Sequence, residues 1–260
     1  MVTGLVRVAV QTLTPSGIVW GSVALLAGAT VAGWILLAGD GRGPGALGFR
    51  LSRDMGPEAG KGLVLGVLVG LAVVGLMAGL GVLRWTPEDG TVTGWLSGGI
   101  GALLFLALPA AAEEALLRGY PLQALAEAWG PEAALLVTSA VFGMLHLGNP
   151  GATALGTVNV AAAGLLLGAV FLRTGSLWWA TGVHLGWNWS HGYLADVPVS
   201  GLEVLDAPFY DGVALGPAWL GGGSFGPEGS LVATIVLLTA AAGCWWGPWL
   251  RLVTETTNSW

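Results

Sequence analysis

Charge is what this chain has least of. Asp, Glu, Lys and Arg together make up 9% of its 260 residues, against about a quarter in an ordinary soluble domain. Hydrophobic residues make up 54% and the mean hydropathy is +0.76, which excludes a solvated globular surface and identifies an integral membrane protein. The nine Lys and Arg residues form no run and the net charge is -6, so nucleic acid has no electrostatic footprint to bind. Cysteine is nearly absent as well. Cys244 alone excludes an intrachain disulfide and any Cys-rich metal site, and it is expected to be a thiol buried in lipid. Nor is there an HExxH pair of the kind that marks zinc peptidases.

What is present is a series of apolar runs. At roughly 17 to 25 residues per crossing, the sequence predicts seven helices, at about 18 to 38, 62 to 83, 94 to 117, 131 to 147, 152 to 172, 177 to 194 and 230 to 249. The fold class is therefore all-α: a polytopic transmembrane helical bundle of about seven spans, forming a single membrane domain over 1–260 with a polar cavity inside the membrane. The first run is longer than a signal-peptide core and is followed by others, so a retained anchor is expected. Forty-five glycines without a regular period fit close helix packing in lipid, where small residues let backbones approach. Tryptophans such as Trp20, Trp85, Trp129, Trp178 and Trp246 fall near the run ends, where interfacial anchors belong.

Basic residues set an orientation. Arg42, Arg50, Arg53 and Lys61 occupy the first connection, and Arg118, Arg173 and Arg251 follow at alternate ones, leaving Arg7 and Arg84 opposite. This asymmetry predicts an external amino terminus and a cytoplasmic carboxyl terminus in a prokaryotic-type plasma membrane. The connection from Asp196 to Glu228 carries five acids and no Lys or Arg, as expected of a translocated segment. Its Gly and Pro content predicts no long helix.

The few polar groups inside apolar runs carry the functional signal, because a charge at mid-bilayer costs at least ~2.5 kcal/mol on insertion scales. Glu113, Glu114 and Arg118 follow the apolar run from Leu103 to Ala112. Helical spacing places Glu114 and Arg118 on one face, with the acid first; Glu113 is turned about 100° away and must find other company. Phe142 and His146 share a face, as do His184 and Asn188. With a turn near Gly130 and Pro131, Glu113 and His146 both lie roughly 25 Å from it along antiparallel helices, and are level. His184 falls at a similar depth beyond the following turn.

Each group alone has a structural reading. Two acids with an arginine form an intramembrane ion pair, a histidine or asparagine makes an interhelical hydrogen bond, and a phenylalanine fills space. These polar groups converging at one depth weaken those readings together.

EExxxR at Glu113, Glu114 and Arg118, FxxxH at Phe142 and His146, and HxxxN at His184 and Asn188 resemble, in order and spacing, the CPBP family of intramembrane proteases, also called the ABI or type II CAAX protease family. The resemblance covers about residues 96–194. Arg118-Gly119-Tyr120 continues the first motif in the family manner, and Gly48-Phe49-Arg50 is similar to a segment that precedes it in bacterial members. Ala115-Leu116-Leu117 departs from the pattern, since many members carry an aromatic residue just before the arginine.

The resemblance implies hydrolysis of a peptide bond in a membrane-associated protein or peptide. A glutamate and a histidine activate water, and the later histidine and asparagine stabilise the oxyanion. Glu113, His146, His184 and Asn188 are then catalytic, with Glu114, Arg118 and Phe142 in support. Glu113, His146 and His184 also make up a zinc ligand set of catalytic type; if Glu113 ligated zinc, the remaining base would be Glu114, held elsewhere by Arg118. The metal-free glutamate mechanism is the expected one. Two other classes remain: a proton-coupled transporter with Glu113 and the histidines as relay, which lacks the internal repeat such folds show, and a non-catalytic scaffold or immunity protein, which has no need of all these polar groups.

Overall fold

The structure, a computed structural model, describes residues 14–250. Arg7 and Arg251, on which the orientation partly rests, lie outside the described residues. Long helices are begun by side chains that satisfy their first free amides. Thr14, Thr91, Thr153, Ser176 and Ser230 cap α1 (Pro15–Gly39), α3 (Val92–Glu114), α6 (Ala154–Thr174), α7 (Leu177–Trp189) and α9 (Leu231–Trp246) respectively, each hydroxyl accepting from an amide in the first turn. Between them run α2 (Met55–Gly79), α4 (Tyr120–Trp129), α5 (Pro131–Leu145) and the one-turn α8 (Ala218–Gly221). Two single π-turns, Ala115–Gly119 and Ser190–Leu194, extend α3 and α7.

The bundle is helical and multi-pass. Among the described residues four helical stretches are long and apolar enough to cross a membrane: Pro15–Gly39, Met55–Gly79, Val92–Trp129 and Ala154–Thr174. Helices α5 and α9 are apolar but only 15 and 16 residues long, and α7 has 13, short of the ~20 that span a hydrocarbon core. A count of seven crossings is therefore not established. Large apolar side chains such as Val31, Ile35, Leu68, Leu104, Leu136 and Ile235 are exposed and face lipid.

Helix boundaries differ from expectation in instructive places. The helix expected at 62 to 83 runs Met55–Gly79 instead, because the chain turns at Gly81, at φ 74°, and enters a strand. That strand, β1 (Leu83–Pro87), pairs antiparallel with β2 (Tyr210–Ala214), Leu83 opposite Ala214. This ribbon is a departure from an all-helical reading. Trp85, Thr86, Tyr210 and Val213 suit extended pairing, and the Trp85 indole anchors the ribbon by donating to the Ala195 carbonyl at 2.8 Å. The 196–228 connection has no long helix, only β2, α8 and 3₁₀ turns.

The contact that positions the site is α2 against α7. Gly62 and Gly66 on α2 meet α7 backbone to backbone at Gly182 and Gly186, and Gly70 lies against the Ser190 side chain. A methyl group on Gly66 would collide with the Val183 carbonyl, and one on Gly186 with that of Leu63. The start of α7 is fixed from below by the Gly48-Phe49-Arg50 segment. Gly48, at φ 111°, accepts through its carbonyl from the Leu177 amide at 3.0 Å; the Trp178 indole donates to the Arg50 carbonyl, also at 3.0 Å; and the Phe49 and Trp178 rings meet edge to face.

Candidate active site

Helix α3 delivers Glu113 and Glu114 at its last turn, and the π-turn that follows swings Arg118 back over them. π-turns of this kind concentrate at functional sites. Glu114 and Arg118 are both fully buried. The Glu114 Oε1 atom accepts from Arg118 Nη1 at 3.0 Å and from His184 Nδ1 at 2.9 Å. Arg118 Nη2 also donates to the Gly164 carbonyl on α6 at 3.3 Å, and its guanidinium lies 4.5 Å over the Phe142 ring. One carboxylate thus joins α3 to α7, and one guanidinium joins α3 to α5 and α6.

Glu113 is arranged differently. Its side chain is 32% exposed, into the cavity, and its Oε2 lies 3.8 Å from His184 Nε2. Because Nδ1 of His184 is committed to Glu114, Nε2 is turned toward Glu113. His146 is the C-cap of α5 rather than an interior helical residue. Its Nδ1 lies 2.8 Å from the Phe142 carbonyl, so its Nε2 is the nitrogen left for other partners. The Phe142 ring stands edge-on to both imidazoles, 4.8 Å from His146 and 5.8 Å from His184. Asn188 is half-buried, one turn beyond His184.

Glu113, Phe142, His146, His184 and Asn188 all line one cavity of about 840 Å³. Apolar walls come from α1, α3 and α6; the far end is closed by the 196–212 connection and Glu228. As placed, Glu113, His146 and His184 do not bring their donor atoms into a metal-sized cluster: among the described residues, the three-acid group Glu88, Asp206 and Asp211 is the one whose ligand atoms lie within 4.8 Å of one another.

Several cavity residues escaped sequence reasoning. Glu228, just before α9, is 5% exposed and accepts from the Trp187 indole at 2.6 Å and the Ser200 hydroxyl at 2.5 Å, while its carbonyl accepts from Asn159 at 2.7 Å. It sits in irregular chain, where no periodicity marks a face; an acid directly ahead of an apolar helix was the available signal. His191, which does not line the cavity, is fully buried with its ring 4.3 Å from that of Trp187.

Fold and site together define a multi-pass helical membrane protein with buried acid, base and guanidinium groups around an internal cavity. The segment that carries them is recognisable: residues 94–190 match the family model described as type II CAAX prenyl endopeptidase Rce1-like. No curated protein and no solved structure matches the chain. By its description, the family that this segment resembles is one of endopeptidases, hydrolases of peptide bonds.

Proposed function

We propose that the protein hydrolyses a peptide bond of a membrane-associated protein or peptide with water activated by Glu113 and His146, without a metal. The observation that carries this reading is the unequal treatment of the two adjacent glutamates: Glu114 is fully buried and bonded to Arg118 and His184, while Glu113 opens onto the cavity beside His184.

Glu113 takes a proton from water held with His146, and the resulting hydroxide oxygen bonds to the scissile carbonyl carbon. The carbonyl π electrons move to oxygen, and the negative charge meets the Asn188 amide and the His184 ring. Collapse restores the carbonyl and expels the amine, which receives its proton from Glu113. Glu114 and Arg118 act as positioning residues for the His184 ring, and Phe142 separates the two imidazoles. We place the bond-breaking chemistry in the plasma membrane of a prokaryotic-type cell.

Removal of the base is expected to lower kcat by ~10²- to 10⁴-fold, the usual worth of a general base. Loss of the Asn188 donor is expected to cost ~10²- to 10³-fold in kcat with little change in KM. Steady-state kinetics of Glu113→Gln and Asn188→Ala on a quenched-fluorescent peptide test both; an unchanged kcat in Glu113→Gln contradicts the assignment.

A further inference from the structure

The cavity has a chemical asymmetry that the reaction does not require. Among the described residues six carboxylates line it, Glu113, Asp196, Glu203, Asp206, Asp211 and Glu228, and no lysine or arginine does. Five belong to the segment at its far end, outside the 94–190 family match. Glu203, Asp206 and Asp211 are exposed at the mouth, Asp196 is half-buried, and Glu228 lies within.

Glu228 is the informative member. A buried carboxylate normally takes a countercharge, yet its two partners, Trp187 and Ser200, are neutral donors. They use two of about four acceptor positions on the carboxylate. His191, the basic group in electrostatic contact with it, does not line the cavity. At the mouth the crowding is also uncompensated. Burial, with Asp206 and Asp211 adding to it, pushes the Asp196 carboxyl up to about 6, and Asp211 beside Glu88 raises the Glu88 carboxyl above its ordinary value. Below this acidic end the wall turns apolar, with Phe105, Leu106, Leu116, Leu145 and Leu166 leading down to Glu113.

Resting on the endopeptidase reading, we infer that the cavity selects a cationic substrate segment: apolar side chains lie along the lower wall beside Glu113, while lysine or arginine side chains of the same chain enter among Asp196, Glu203, Asp206, Asp211 and Glu228. The countercharge these carboxylates lack is supplied by the substrate. Like charge at a low-dielectric mouth concentrates an oppositely charged ligand and repels an anionic one, so the device works in encounter as well as in the bound state.

The test separates binding from cleavage. Three fluorescent peptides share one apolar core and differ only in a flank of three Lys, three Gln or three Glu residues. Their binding is measured by anisotropy to the full-length Glu113→Gln protein in zwitterionic nanodiscs, and their cleavage by wild type is followed in parallel. The Lys peptide is expected to bind ~10-fold or more tighter than the Gln peptide, with the Glu peptide weakest, and the difference is expected to shrink as salt rises to about 0.5 M. The exposed triple variant Glu203→Gln, Asp206→Asn, Asp211→Asn, made in the Glu113→Gln background, is expected to lose most of that preference. Equal binding of the three peptides, or a preference that survives the triple variant, overturns the inference. Cleavage without charge preference leaves the endopeptidase reading standing and removes this one; charge-selective binding without cleavage does the reverse.

Discussion

At the residue scale, the centre turns on Glu114, a side chain that does not line the 840 Å³ cavity. Its Oε1 holds both Arg118 and His184, so its removal frees a buried guanidinium and an imidazole together. Breaking a buried pair from one side costs ~3–5 kcal/mol; Arg118→Met, which strands Glu114, is expected to lower stability by that order and to appear as a large fall in the melting temperature in detergent. Glu114→Gln keeps an acceptor for His184 and is expected to be milder. The spacing rule foresaw the Glu114 to Arg118 contact because both partners lie on one helix. The His184 contact joins residues 70 positions apart, and no pattern within either helix encodes it; the sequence placed His184 with the oxyanion and left its other nitrogen unassigned.

Asp196 offers a second residue-scale test. Its carboxyl, ordinarily near 3.8, is held up to about 6, chiefly by burial. A raised acid is stabilised in its neutral form, so the contribution is complete below about pH 4, declines as pH rises toward 6, and is constant above that. Asp196→Asn keeps a residue tolerant of the observed φ of 50° and is expected to flatten this part of the profile. Melting temperatures of both proteins between pH 4 and 7 decide it; parallel curves contradict the assignment.

At the element scale, α7 carries His184 and Asn188 on one side and a glycine seam on the other. Gly66 and Gly186 leave no room for a side chain between α2 and α7, so Gly66→Leu and Gly186→Leu are expected to push the helices apart and abolish activity with every polar site residue intact. Overpacking of this kind costs ~1–3 kcal/mol or more, and loss of peptidase activity at wild-type expression is the readout. Close packing was legible in the glycine content, but the pairing of these particular helices was not. The two π-turns were equally hidden: Ala-Leu-Leu-Arg-Gly and Ser-His-Gly-Tyr-Leu carry no local signal for i to i+5 bonding. The end of α5 fell two residues earlier than expected, which converts His146 from a helix residue to a cap.

At the scale of the whole molecule, lone polar groups in apolar runs drew attention to the depth at which Glu113, His146, His184 and Asn188 line one cavity. Helix periodicity could not reach the 196–230 connection, whose irregular backbone closes the cavity through contacts such as Ser200 and Trp187 to Glu228. The bundle has two chemically distinct ends. At one, Arg42 pairs with Glu127 and the Ser176 hydroxyl donates to Glu58; at the other lie the ribbon and the acidic connection. The basic end is proposed to be cytoplasmic, and labelling of single cysteines placed at Ser52 and Glu203 in a Cys244→Ala background is expected to show Glu203 alone accessible from outside. Access of both or of Ser52 only reverses the orientation.

The central claim, a glutamate peptidase that works without metal, is tested most directly by cleavage of a quenched-fluorescent peptide by purified wild type and Glu113→Gln, each with and without a strong chelator. Activity that resists the chelator and falls by ~10² or more in the variant is the predicted result. Chelator-sensitive activity restored by zinc, or equal cleavage by both proteins, contradicts it.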